Sequence, residues 1–179
     1  MKNLFWILLA LILLAGTSCQ DKQAMAELDE LKAKSELEEQ NKELLRSYYV
    51  ELDNTKSDEL ATFIDKFVSS EFVLHLPGGI DINGKEGFEE YYASSKEAFP
   101  DAAHTVDNVI AEKDKVAFRA TSKGMQQGEF MGIQPNDNEI NVTFAGFWRV
   151  QDGKIVEWWS EYDALGMMQQ LGMELQMKE

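Results

Sequence analysis

The chain is poor in cysteine, histidine and positive charge, and each shortage removes a class of function. Of its 179 residues only Cys19 is a cysteine, which leaves no pair for an internal disulfide and no thiolate cluster for a metal. The two histidines, His75 and His104, stand far apart in sequence, so a metal site is not expected. No motif asks for another cofactor. Bases number 17 against 32 acids, a formal charge of -15. Such a surface repels phosphate backbones, and nucleic acid is excluded as a partner. A run of apolar residues that could cross a bilayer is missing as well. The stretch from Leu4 to Leu14 has 11 residues, where a spanning helix needs about 20.

What is present is enough for one folded domain. With 44% hydrophobic and 11% aromatic residues, the chain can bury a sizeable core and still spare length for a leader or tether. The short apolar run follows Met1-Lys2-Asn3, with its single positive charge, and fits the h-region of a secretion signal. It leads into "LLAGTSCQ", which resembles a bacterial lipobox whose cysteine becomes the lipidated first residue of the mature protein. An ordinary signal peptide with an incidental cysteine is the alternative. The expectation is a signal peptide over residues 1–18, then attachment to a membrane through a lipid anchor at Cys19. The protein would then lie in the bacterial cell envelope, facing the periplasm or the exterior. Residues 19–41 are rich in helix formers, with Met25, Leu28 and Leu31 on one narrow stripe. They predict a solvated helical tether rather than a sustained coiled coil.

From residue 42 to 179 the pattern is that of a globular domain. Leu44, Leu45, Tyr48, Tyr49 and Leu52 recur at helical spacing, and Leu60, Phe63, Ile64 and Phe67 form a second helical face behind Ser57, a candidate N-cap. "EFVLHLPGG" predicts a short strand stopped by Pro77-Gly78-Gly79, and "EGFEEYYASSKEAFP" a third helix. The rhythm then changes to period two. "HTVDNVIAEK", "KVAFRATSKGMQQGEF", "EINVTFAGFWRV" and "KIVEWWSEYD" are four successive strand patterns, the last pair joined by the tight turn signal "QDGK". "ALGMMQQLGM" closes the domain as a short helix. The fold class is α+β, with helices packed on one face of a curved antiparallel sheet.

Several pieces carry a family resemblance. They are Phe99-Pro100-Asp101, Gly128-Glu129-Phe130 with Gly132 and Pro135, Arg149 with Asp152-Gly153-Lys154, and Asp163 with Leu165-Gly166 and Gln170-Leu171-Gly172. Together, from about Leu44 to Gly172, the chain resembles the SnoaL-like polyketide cyclases, or ester cyclases, of the nuclear-transport-factor-2-like superfamily. The resemblance implies a cone-shaped α+β domain. It also implies an aspartate that serves as acid and base in an intramolecular aldol ring closure, without metal or cofactor. In the family that aspartate follows a His-Trp pair on the last strand. Here the matching positions are Trp158-Trp159-Ser160, so tryptophan stands for the histidine and serine for the acid. A family histidine is matched by Gln126, and a polar strand position by Gly146.

Strand alternation sets Val156, Trp158, Ser160 and Tyr162 on one face and Ile155, Glu157, Trp159 and Glu161 on the other. Facing a cavity, the first set would offer an apolar wall with two hydroxyls; otherwise its tryptophan belongs to the core. His75 and Asp163 are the candidate catalytic residues. His75 is open to a role as base or as a structural group, and Asp163 to a role as base or as N-cap of the last helix. Gln126, Trp158, Ser160 and Tyr162 are the candidate substrate-binding residues. His104 is expected at the rim or surface, and Arg119 to anchor Glu157 or Glu129 across strands. The functional expectation is a SnoaL-like protein of polyketide-type metabolism, acting on a small hydrophobic carbonyl compound by metal-free acid/base chemistry. The alternative is a non-catalytic lipoprotein that binds an apolar small molecule. The stalk helix and exposed sheet face are the surfaces available for a homodimer.

Overall fold

The structure is a computed structural model that describes the backbone of residues 2–174 and 176, and side chains from residue 22 onward within that range. Residue 1 and the side chains of the leader and of Cys19 lie outside what the structure describes. Among the described residues no helix is long and apolar enough to cross a membrane.

The first helix, α1, runs Lys2–Asn54. The chain divides into two compact units, residues 1–37 and residues 38–179. In the first unit Met25, Leu28 and Leu31 are all exposed. In the second, the C-terminal part of α1 buries Leu45, Tyr48, Tyr49 and Leu52, the residues whose helical spacing marks them in the sequence.

A 3-10 turn, Ser57–Glu59, leads into α2, Leu60–Phe67. Ser57 is the first residue of that turn rather than the cap expected of it; Glu59 closes the turn by accepting from the Lys56 N–H at 3.3 Å. All four apolar residues predicted for the α2 face are buried. Next come β1, Val68–Leu76, β2, Ile80–Asn83, and α3, Gly84–Ala98. The segment between Pro77-Gly78-Gly79 and the third helix, to which the sequence pattern assigns no element, therefore contains a strand. The remaining strands are β3, Ala103–Glu112, β4, Lys115–Met125, β5, Glu139–Gln151, and β6, Lys154–Tyr162, followed by α4, Ala164–Gln170.

The six strands form one sheet in the order β2-β1-β6-β5-β4-β3. Every pairing is antiparallel except β1 with β6, which is parallel, so the sheet is mixed rather than wholly antiparallel. Asp152 and Gly153 turn β5 into β6 with φ of 51° and 72°, the two left-handed residues that suit a tight hairpin. Just past the turn the pairing steps from Val150–Ile155 to Arg149–Glu157, which leaves Val156 as an extra residue. This bulge shifts the phase. Ile155 is buried on the core side, while Trp158, Ser160 and Tyr162 keep their expected common face.

Two apolar clusters fill the domain. The larger centres on Tyr48, fully buried, whose ring meets Phe63, Phe67, Trp148 and Trp158 at 5.0 to 6.0 Å, mostly edge to face. Each such pair adds about 0.5–1.5 kcal/mol beyond its buried area. The smaller joins Phe99, Ile140 and Val142 to Met167 and Leu171 at the closing helix.

Candidate functional site

Between these clusters lies a cavity of about 490 Å³, lined by members of both. Its size is that of an ordinary small-molecule site, and most of its wall is carbon. Strand β6 contributes Trp158, Ser160 and Tyr162, and β1 contributes Leu74 and Leu76 by the same two-residue period. Tyr91, Tyr92 and Lys96 come from the second half of α3.

The polar centre of the wall is a pair that the sequence does not advertise. Asp53, one turn after Tyr49 on α1, accepts the Nδ1–H of His104 at 2.6 Å through one carboxylate oxygen. Its other oxygen accepts the His104 backbone N–H at 2.8 Å. Both residues line the cavity and both are largely buried. The carboxylate holds the proton on Nδ1 and leaves Nε2 with its lone pair free to meet a ligand. The Tyr49 ring lies against the imidazole, with centroids 5.2 Å apart, and fixes its tilt. His104 is thus a wall residue rather than the rim or surface group expected from sequence. Its signal was legible in part: His104 shares its strand phase with Val106, which packs on the core.

Both candidate bases named from sequence lie elsewhere. His75 alternates with Leu74 and Leu76, so its side chain is on the opposite face of the sheet from the cavity. There Nδ1 meets Asp81 at 2.8 Å, Nε2 meets Glu157 at 3.2 Å, and the ring stacks on Trp159 at 5.2 Å. Arg149 Nε donates to the other Glu157 oxygen at 3.0 Å. Burial alone would lower the His75 pKa, but the hydrogen bonds and charges of Asp81 and Glu157 outweigh it and raise it. Asp163 caps α4: its Oδ1 accepts the Gly166 N–H at 2.8 Å. A cap of this kind is worth about 1 kcal/mol, and the side chain does not reach the cavity wall. Arg119 pairs with Asp107, not with Glu157 or Glu129.

Gln126 is fully buried but behind the wall. Its amide donates to the carbonyls of Gly128 at 3.1 Å and Ile133 at 2.9 Å, tying down the loop after β4. The tip of that loop reaches the cavity through Phe130 and Met131, whose neighbour Gly132 completes a left-handed turn.

The family model described as SnoaL-like polyketide cyclase matches residues 43–171. The chain belongs to the SnoaL-like polyketide cyclase family. No curated protein is significantly similar to it in sequence. Among solved structures, a candidate SnoaL-like polyketide cyclase from Jannaschia sp. CCS1 superposes with a TM-score of 0.70 at 24% identity, covering 78% of this chain and 96% of its own. IdmH, a candidate polyketide cyclase from Streptomyces antibioticus, is 28% identical with a TM-score of 0.63, covering 74% and 98%. AclR from Streptomyces galilaeus, described as a candidate hydroxylase, is 25% identical with a TM-score of 0.65, covering 77% and 84%. The likeness to the Jannaschia protein is one of fold, the nuclear-transport-factor-2-like α+β architecture.

Set within this SnoaL-like domain, the three positions where the resemblance places polar groups have physical explanations here. Ser160 lines the cavity, nearly buried, with a hydroxyl in place of an acid. Gly146, its neighbour across β5, leaves room for the Phe118 ring: a Cβ there would stand 2.8 Å from Phe118 Cζ. Gln126 braces a loop. The carboxylate–imidazole pair in the cavity wall is assembled instead from α1 and β3.

Proposed function

We propose that the protein performs cyclase- or isomerase-type acid–base chemistry at a carbon beside a carbonyl, on a largely apolar small molecule held in the cavity. Membership of the SnoaL-like family supports that reaction type. The observation that carries the reading is the His104–Asp53 pair, 2.6 Å from nitrogen to oxygen, set in a largely apolar wall. His104 Nε2 takes the proton from the substrate carbon, and the electron pair of the broken C–H bond passes into the carbonyl as an enolate. Asp53 stabilises the imidazolium that results. In ring closure the enolate carbon then bonds to a second carbonyl carbon of the same molecule, and the new alkoxide takes the proton back from Nε2. In isomerisation the proton returns to a different carbon. Tyr91, whose phenol burial pushes up to about 12, stays protonated and can donate to a substrate oxygen.

Exchange of α-protons in an apolar ketone tests this directly. Incubated with the protein in D₂O, 2-tetralone is expected to lose its α-proton signals by NMR faster than in buffer. His104→Ala should slow that exchange roughly a hundredfold to ten-thousandfold, the usual range for a general base. No acceleration across a set of apolar ketones, together with an unchanged compound extracted from the purified protein, would replace this reading by that of a carrier. The leader supports a place for this chemistry in the cell envelope on a lipidated Cys19. A mature N-terminal peptide beginning with diacylated Cys19 in mass spectrometry is the expected product.

A further inference from the structure

The cavity also holds a cation that the dyad does not use. Lys96, in the last turn of α3, is half-buried in the wall. No carboxylate or carbonyl among the described residues accepts a hydrogen bond from its ammonium. Asp53 is near enough for its charge to act on Lys96, but both Asp53 oxygens are taken by His104. In a chain with 32 acids and 17 bases, an unpaired cation facing an apolar cavity is unexpected unless something anionic meets it.

We infer that Lys96 is a specificity residue, and that the cavity takes an apolar, ring-bearing acid whose anionic oxygen meets the Lys96 ammonium. The inference rests on the acid–base reading of the same cavity and names the substrate class for it. Apolar area supplies the affinity, and the ammonium decides between an acid and its neutral analogue.

Calorimetric titration of the full-length protein with 1-naphthylacetate and with the neutral 2-(1-naphthyl)ethanol tests this. Wild type is expected to prefer the carboxylate about tenfold, as one charge-assisted hydrogen bond implies. Lys96→Met should erase the preference while still binding the alcohol within about twofold, which also shows that the cavity is intact. Lys96→Arg should keep the preference. Equal binding of both compounds by wild type, binding of neither, or a preference that survives in Lys96→Met overturns the inference. His104→Ala separates the two readings: if it retains the carboxylate preference and loses no ketone exchange, the acid–base role fails while the acid-binding site stands.

Discussion

Asp53 grips His104 twice, by its side chain and by its backbone N–H, across a gap of 51 residues in sequence. One carboxylate therefore sets both the tautomer of the imidazole and the point at which β3 begins. Asp53→Asn keeps a carbonyl for one of these contacts but cannot stabilise an imidazolium. Ketone exchange is expected to fall about a hundredfold or more, whereas Asp53→Ala should also lower stability by about 1–3 kcal/mol through the unpaired buried N–H groups. Denaturation curves run beside the exchange assay separate the two effects.

A second prediction concerns the core. The Tyr48 hydroxyl donates to the Tyr92 hydroxyl at 2.9 Å, a fully buried contact that ties α1 to α3. Tyr48→Phe leaves the Tyr92 hydroxyl without that partner and should cost about 1–3 kcal/mol. The double variant Tyr48→Phe/Tyr92→Phe should cost less than the sum of the two single ones, since no orphaned hydroxyl remains. Urea unfolding of the four proteins measures the coupling.

Gly146 offers a third. A methyl group there would stand 2.8 Å from both Phe118 Cζ and the Trp159 carbonyl oxygen, and the latter is backbone in the neighbouring strand. Gly146→Ala should therefore destabilise by about 1–3 kcal/mol, as overpacking does. The midpoint of urea unfolding should fall with little change in slope.

The fourth is a pH dependence from the outer face. His75 has a raised pKa, so its ion pairing contributes fully below its ordinary value of 6.5 and is lost as pH rises through the higher folded value. Burial alone would raise the Glu157 pKa, but hydrogen bonds from His75 and Arg149 lower it; its contribution is present above 4.5 and lost as pH falls. The cluster is strongest between those values. Wild type should lose melting temperature from about pH 6 to about pH 8 more steeply than His75→Gln, by less than about 1 kcal/mol because the groups are partly exposed. Parallel slopes would deny the cluster any such role.

Much of the fold is legible in local pattern. The quartet Leu60, Phe63, Ile64 and Phe67 marks α2, alternation marks β4 and β5, and Asp152-Gly153 marks the hairpin. The parallel pairing of β1 with β6 is not, because its partners, such as Leu74 and Trp158, are distant in the chain and nothing local records their meeting. The bulge at Val156 likewise hides the true side of Ile155. For the site, the even positions of β6 could be read from alternation alone. The same rule applied to Leu74 and Leu76 would have turned His75 outward, and applied to Val106 would have turned His104 inward. What no spacing rule supplies is Asp53, since a helix end and a distant strand start become neighbours only in the folded domain.

Strand β6 carries two unrelated jobs on its two sides. Trp158, Ser160 and Tyr162 shape the hollow, while Glu157 and Trp159 hold the charged brace with His75. Because pleating keeps these sets apart, a lineage could retailor what the hollow accepts by rewriting alternate letters of one short segment without loosening its fastening to β1. The reverse also holds: a one-residue insertion after Val156 would swap the two sets, and recognition and fastening would be lost in a single step.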